Sequence, residues 1–152
     1  MTADGIIALL EEKYPGGVLE KSASGTDPYV RVEAALVRDI AGFLKSEKSL
    51  AFDFLRCITA VDTGDRLRVV YNLLSYEHGH SVAVKADVPR DNPEVPSVSS
   101  VWKTADWHER EAYDLLGVKF AGHPDLKRIL LPGDWKGHPL RKDYVFPAEY
   151  NG

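Results

Sequence analysis

Three stretches in which apolar and polar residues alternate, residues 54–61, 67–76 and 81–88, follow one another with only Asp62-Thr63-Gly64-Asp65-Arg66 and Glu77-His78-Gly79-His80 between them. A period of two sends successive side chains to opposite faces of a strand. Connections this short permit only antiparallel neighbours, because a parallel return needs about a dozen residues or more. The middle of the chain therefore has to form an antiparallel meander with one buried face, and the remaining segments have to cover that face.

Before the meander, Ile6, Ile7, Leu9, Leu10 and Tyr14 recur at helical spacing ahead of the Pro15-Gly16-Gly17 breaker, with Thr2 or Asp4 as the cap. Residues 18–22 and 29–33 read as short strands across the turn-forming run Ser24-Gly25-Thr26-Asp27-Pro28, a second hairpin. Leu36, Val37, Ile40, Phe43 and Leu44 share one face of a helix over residues 34–46. After the meander, residues 89–96 hold three prolines and read as a surface crossing unable to feed a central strand. Thr104 is placed to cap a third helix, Asp106 to meet the positive end of its dipole, and Gly117 to stop it. From Val118 onward no period is sustained, and His123-Pro124, Leu131-Pro132, His138-Pro139 and Phe146-Pro147 exclude a long helix. The expectation is a two-layer α+β domain, order α-β-α-β-β-β-α, with helices on one face of a largely antiparallel sheet. Residues 1–117 form the core domain and residues 118–152 an extended tail, one structural domain in all.

The formal charge of -4, from 19 basic against 23 acidic residues, provides no field for nucleic acid or anionic lipid. The tail is charge-dense but balanced, which suits salt-bridged protein contacts. The single cysteine, Cys57, reads as a small buried hydrophobe; one thiol cannot make a disulfide within the chain or ligate an iron-sulfur cluster. No window approaches the ~20 apolar residues of a membrane span and the N-terminus lacks a secretory pattern, so a cytoplasmic location is expected.

On a helical wheel, Glu109 falls among Ala105, Ala112, Leu115 and Leu116, whereas Trp107, Arg110, Glu111 and Asp114 lie on the other side. Glu109 is then either a general acid/base or one end of a buried ion pair with a basic tail residue. Without a nucleophile nearby in sequence the ion pair is favoured, a contact whose loss costs about 3 to 5 kcal/mol. Arg110 and Asp114 read as a surface pair at i, i+4. His108 and Glu111 lack the second histidine of a zinc motif. His78 and His80 read as solvated turn residues. The tripeptide Gly-His-Pro occurs twice, at His123-Pro124 and His138-Pro139, followed by Leu126-Lys127-Arg128 and Leu140-Arg141-Lys142. Proline fixes the chain direction after each histidine, which makes two rigid turns a better clamp than a ligand set. Trp135, between the echoes, is either a plug for the core or an interface anchor.

The spacing Glu109-Arg110-Glu111, two residues, Asp114-Leu115-Leu116, six residues, His123, three residues, Lys127, one residue, Ile129-Leu130 resembles the signature of the C subunit of proton-translocating NADH:quinone oxidoreductase, respiratory complex I. The continuation Leu131-Pro132-Gly133-Asp134-Trp135 and Gly137-His138-Pro139-Leu140-Arg141-Lys142-Asp143-Tyr144 is similar to that family's tail, departing at Val145, where members often carry proline. The resemblance is strong over about residues 107–144. It implies a structural, non-catalytic subunit of the peripheral arm that clamps the large quinone-site (D) subunit against cluster-bearing subunits. FMN, iron-sulfur centres and quinone would be bound by those partners, with no cofactor in this chain, and membrane contact at the cytoplasmic face would be made only through the complex. The residues expected at the interface or organising it are Glu109, Arg110, Glu111, Asp114, Leu115, His123, Pro124, Asp125, Leu126, Lys127, Arg128, Trp135, His138, Pro139, Arg141, Lys142, Asp143 and Tyr144. On this reading Arg141→Glu weakens assembly and leaves the isolated domain folded. The alternatives are the same scaffold in a membrane-bound hydrogenase or other-donor dehydrogenase, and a stand-alone metal hydrolase using His108, His123, His138 and Glu109.

Overall fold

The computed structural model describes residues 1–146, so the end of the expected tail, 147–152, lies outside the described residues. Helix α1 (Ala3–Lys13) starts at Thr2, whose Oγ1 accepts the N–H of Gly5 at 3.2 Å. Strands β1 (Val18–Ser22) and β2 (Tyr29–Val32) form the expected hairpin. A short 3-10 turn (Ala34–Leu36) leads into α2 (Val37–Ser46). The meander follows as β3 (Phe54–Asp62), β4 (Arg66–Leu74) and β5 (Ser81–Pro89), paired antiparallel throughout. Helix α3 (Ala105–Leu116) lies between two further strands, β6 (Glu94–Pro96) and β7 (Lys119–Ala121).

The main sheet has the order β1-β2-β5-β4-β3, so β2 lies parallel to β5 while every other pair in it is antiparallel. Its period of two is complete: Leu67, Val69, Tyr71 and Leu73 of β4 and Val82, Val84, Ala86 and Val88 of β5 all face inward. Ile6, Ile7 and Leu10 of α1, Val37, Ile40 and Leu44 of α2, and Ala105, Ala112 and Leu116 of α3 complete the same core. Each fully buried aliphatic side chain there contributes about 1.5 to 3 kcal/mol relative to an exposed one. The opposite face is polar: Asp87 meets Arg68 at 2.7 Å, with Arg66 and Arg31 beside it, and the ammonium of Lys85 lies 3.7 Å from the centre of the Tyr29 ring. One covered and one solvated face make the domain two-layered.

Four local expectations are corrected. The proline-rich run 89–96 does not merely cross the surface: β6 pairs in parallel with β7, and Val95 and Val98 are fully buried. Three residues suffice for that pairing because Pro93 offers its carbonyl to Lys119 N–H and Pro96 ends the strand. Thr104 does not cap α3 with its side chain; a preceding turn, in which Trp102 N–H bonds Val98 O and Ala105 N–H bonds Trp102 O, feeds the helix directly. Cys57 is only half-buried, because the irregularity between Leu55 and Cys57 turns it outward to receive the Asn72 amide at 3.3 Å. His80 is not simply solvated: it is half-buried, bonds Leu50 O at 2.7 Å and lies against Phe52.

Candidate assembly surface at the end of α3

An α-helix ends with four carbonyls that have no partner within it. At the end of α3 all four are taken. Gly117, in the left-handed conformation at φ +79°, returns its N–H to Tyr113 O at 2.8 Å. The other three are taken by the tail. Asp114 O accepts from Arg128 Nη1 at 2.9 Å and from His138 Nδ1 at 3.0 Å. Leu115 O accepts the N–H of Leu140 at 3.0 Å, and Leu116 O accepts Arg141 Nε at 2.7 Å. Cations at this negative end of the dipole add a favourable charge interaction.

The side chain of Asp114 forms the centre of the junction. It is fully buried; Oδ2 accepts the successive N–H groups of Ile129, Leu130 and Leu131 at 3.1, 2.7 and 3.0 Å, and Oδ1 meets Arg128 at 2.8 Å. Burial alone would raise this carboxyl, but the Arg128 guanidinium and the three amides outweigh it and hold the group below its ordinary value. Arg128 also donates Nη2 to the carbonyls of Trp135 (3.0 Å) and Gly137 (2.8 Å), so one fork fixes three points of the chain.

A second latch holds the far end of the tail. Asp62, at the end of β3 and almost fully buried, accepts Lys142 N–H at 2.8 Å and Gly64 N–H at 2.8 Å, and is paired with Arg90. Arg90 reaches on to Asp143 at 3.0 Å. The Lys142 and Gly64 amides first, and Arg90 with them, lower the Asp62 carboxyl to about 2. Neither Asp62 nor Arg90 is among the site residues the sequence singles out; the signals at Asp62 are the Ala60-Val61-Asp62 strand end, which shares in the resemblance, and the Asp-Thr-Gly turn that accounts for the Gly64 bond. Because the folded value lies below the ~3.9 of an unfolded aspartate, this latch stabilises the fold above about pH 4 and its contribution is lost as pH falls toward 2. Limited proteolysis of the tail is expected to accelerate across that window, and the Asp62→Asn variant to be equally susceptible at neutral pH; a variant as resistant as the parent at pH 7 would contradict the latch.

The matching family is described as "Respiratory-chain NADH dehydrogenase, 30 Kd subunit", and the match runs over residues 30–150. The chain belongs to this family. The C subunit of NADH-quinone oxidoreductase from Chloroherpeton thalassium is 44% identical over 147 residues, covering 95% of this chain and 61% of the relative. That of Chlorobium phaeobacteroides is 44% identical over 148 residues, covering 95% and 89%. The chain thus spans somewhat less than two thirds of the first relative and most of the second. Among solved structures, a chain of an archaeal respiratory membrane complex, the membrane-bound sulfane sulfur reductase, aligns at TM-score 0.78 with 28% identity, covering 93% of this chain and 85% of that one. The trypsin-resistant fragment of Nqo5 aligns at TM-score 0.65 with 30% identity, covering 80% and 98%.

Within this member of the family the residues singled out from the sequence divide into inward and outward sets. Glu109 is fully buried, but not in an ion pair: it accepts Ser97 Oγ at 2.7 Å and Val98 N–H at 2.8 Å. Burial raises its carboxyl, an effect only partly offset by those two bonds. The ion pair to the tail belongs instead to Asp114, so Arg110 and Asp114 are no surface pair. Arg110 spans to the carbonyls of Lys127 and Arg128 at 3.2 Å each and lies near the exposed Trp107 ring. His123 is inward, Nε2 donating to the Asp106 carboxylate at 3.0 Å while Nδ1 accepts Asp125 N–H at 3.0 Å. Burial, with Arg128 and Arg141 nearby, pushes His138 below its ordinary value against the opposing pull of the Asp114 carbonyl. Leu126 packs against the core, Pro139 and Leu115 are half-buried, and Tyr144 Oη donates to Lys136 O at 3.2 Å. Trp135 is half-buried. Glu111, Pro124, Asp125, Lys127, Lys142 and Asp143 are exposed, as are the apolar side chains of Trp107, Leu130 and Leu140.

Among the described residues no three His, Cys, Asp or Glu side chains come together as a metal-binding group, and no helix is long and apolar enough to cross a membrane. A raised Glu109 value means its neutral form is the one folding favours, a contribution present at low pH and lost as pH rises through the folded value. Glu109→Gln, which keeps an acceptor for Val98 without the charge, is therefore expected not to lower the melting temperature at neutral pH. A drop as large as that caused by losing Asp114 would restore an ionised, strongly paired Glu109.

Proposed function

We propose that this chain is a non-catalytic subunit of the peripheral arm of an NADH:quinone oxidoreductase. It holds the large quinone-site subunit against the cluster-bearing subunits while electrons pass from NADH through FMN and iron-sulfur centres to quinone with coupled proton translocation. Family membership supplies the setting. The observation that carries the role is the capping of α3 by the tail: an irregular segment anchored at Asp114 and Asp62 presents Leu130 and Leu140 from fixed positions, beside Trp107 of α3 itself. A surface ordered before binding loses less entropy on association, and tryptophan with arginine beside it is the composition of interface hot spots. Electron transfer needs centres at constant separations, so a rigid spacer contributes to rate without carrying an electron. One cysteine cannot hold an iron-sulfur cluster, and on this reading FMN and quinone, like the clusters, are bound by the partners. The membrane would be met through the complex, at its cytoplasmic face.

The likeness to a chain of the sulfane sulfur reductase favours one second reading, the same scaffold in a membrane complex with a different donor or acceptor. Affinity capture of the chain from gently solubilised native membranes, with partners identified by mass spectrometry, separates the two. Flavin and iron-sulfur subunits of an NADH:quinone oxidoreductase are the expected companions; subunits of another respiratory complex would keep the scaffold and change the reaction, and recovery of the chain alone would overturn both.

A further inference from the structure

Strand β3 is the last strand of its sheet, and a cavity of about 140 Å³ opens beside it under α3 and the tail. Its wall includes Ile58, Thr59 and Ala60 from β3, Glu111 and Leu115 from α3, and Leu140 from the tail. Side chains alternate faces along a strand, so three consecutive residues line one cavity only when the cavity runs along the strand's edge. Unpaired edges are ordinarily protected by charge, proline or a bulge. Here the irregularity at Leu55 and Cys57 and the charge of Arg56 guard only the first half; Ile58, Thr59, Ala60 and Val61 carry neither charge nor proline. Glu111 is exposed on the rim and makes no hydrogen bond or ion pair among the described residues, in contrast to Glu109 and Asp114 on the same helix.

We infer that this groove receives an extended segment of a neighbouring subunit, which adds a strand to the edge of β3. The segment seats one large apolar side chain beside Leu115 and Leu140, and sets a lysine or arginine against Glu111. The edge geometry favours an extended occupant over a helix, because main-chain hydrogen bonds to the strand supply the affinity. The cavity is the size of one that holds a benzene-sized group, about 150 Å³. The unpaired carboxylate chooses the charge of the partner. The inference rests on the assembly role proposed above and names the part of the surface that role uses first.

The test is photocrosslinking in the intact complex, with a benzophenone amino acid replacing Thr59 in one strain and Leu130 in another, followed by peptide mapping. The expected product at position 59 joins β3 to a stretch of another subunit of the complex that alternates apolar residues and contains a basic residue. Glu111→Lys is expected to reduce the complex recovered roughly tenfold while the isolated chain melts as before, since Glu111 bonds nothing among the described residues. Crosslinking from position 59 to a second copy of this chain would overturn the inference. So would labelling from position 130 with none from position 59, which would leave the assembly role standing. Labelling of no subunit from either position would remove the assembly role itself.

Discussion

Replacing Asp114 with alanine is expected to lower the melting temperature of the isolated chain by roughly 10 °C, from a loss of about 3 to 5 kcal/mol. The carboxylate is fully buried and takes four donors: three tail amides and Arg128. Alanine leaves the amides of Ile129, Leu130 and Leu131 without their acceptor and the part-buried Arg128 guanidinium without its counter-charge, held only by main-chain carbonyls. An uncompensated buried charge costs more than the pair was worth. Asp114→Asn, which keeps the volume and one acceptor oxygen, is expected to fall between alanine and the parent. Arg128→Met should cost a similar amount for the opposite reason, and the double substitution less than the sum, since both remove one network. The Asp114 contribution should also fade as pH falls through its lowered value, because a depressed carboxyl stabilises only while ionised. An Asp114→Ala chain melting within a degree or two of the parent would mean the tail is not fixed by this contact.

The second large effect is expected at Gly117. Its φ of +79° is left-handed, a conformation costing roughly 1 to 2 kcal/mol for an L-residue with a side chain. A Cβ there would also lie 2.6 Å from Cδ2 of His138 and 2.9 Å from Nη2 of Arg141. Neither neighbour can yield freely, because the imidazole bonds Asp114 O and the guanidinium bonds Leu116 O. Gly117→Ala should therefore cost about 3 kcal/mol in strain plus displaced tail contacts. Gly133→Ala supplies the comparison: nothing lies within 4 Å of where its methyl group would sit, and it should melt like the parent. If the two alanine variants melted alike, the close seating of the tail on α3 would be refuted. Arg141→Glu belongs with this pair, since Arg141 is turned inward to Leu116 O and its reversal should loosen the tail from α3 as well as weaken assembly.

The meander, the hairpin and all three helices were legible because their periods are local, so that Leu67, Val69, Tyr71 and Leu73 announce a buried face unaided. Strands β6 and β7 were not, since a three-residue parallel pair has no period to read and its partner lies beyond an intervening helix. The wheel misplaced Asp114 on the solvent side for a related reason. Whether a carboxylate is buried depends on who meets it, and its partners begin 14 residues further along the chain. Glu109 was correctly placed inside but given the wrong companion; a buried carboxyl raised by its burial is met by the Ser97 hydroxyl and one amide rather than by a tail cation. For the site, the resemblance selected residues that do cluster, yet could not sort His123 and Arg128, which bind inward, from Glu111 and Leu130, which face out. The Ala60-Val61-Asp62 strand end shared in the resemblance, but the latch role of Asp62 and of Arg90 was missed because each looks like an ordinary turn residue until the tail arrives.

That the last carbonyl of α3 waits for Arg141, 25 residues downstream, also bears on how the chain is made. During synthesis the helix emerges first, with its closing groups still open to water and its terminal turn free to fray. Only when the tail has been released and has folded back does α3 acquire its finished end and the outward-facing residues their final positions. A nascent or prematurely stopped chain would carry the five-stranded sheet and α3 but lack Leu130 and Leu140 of the contact surface.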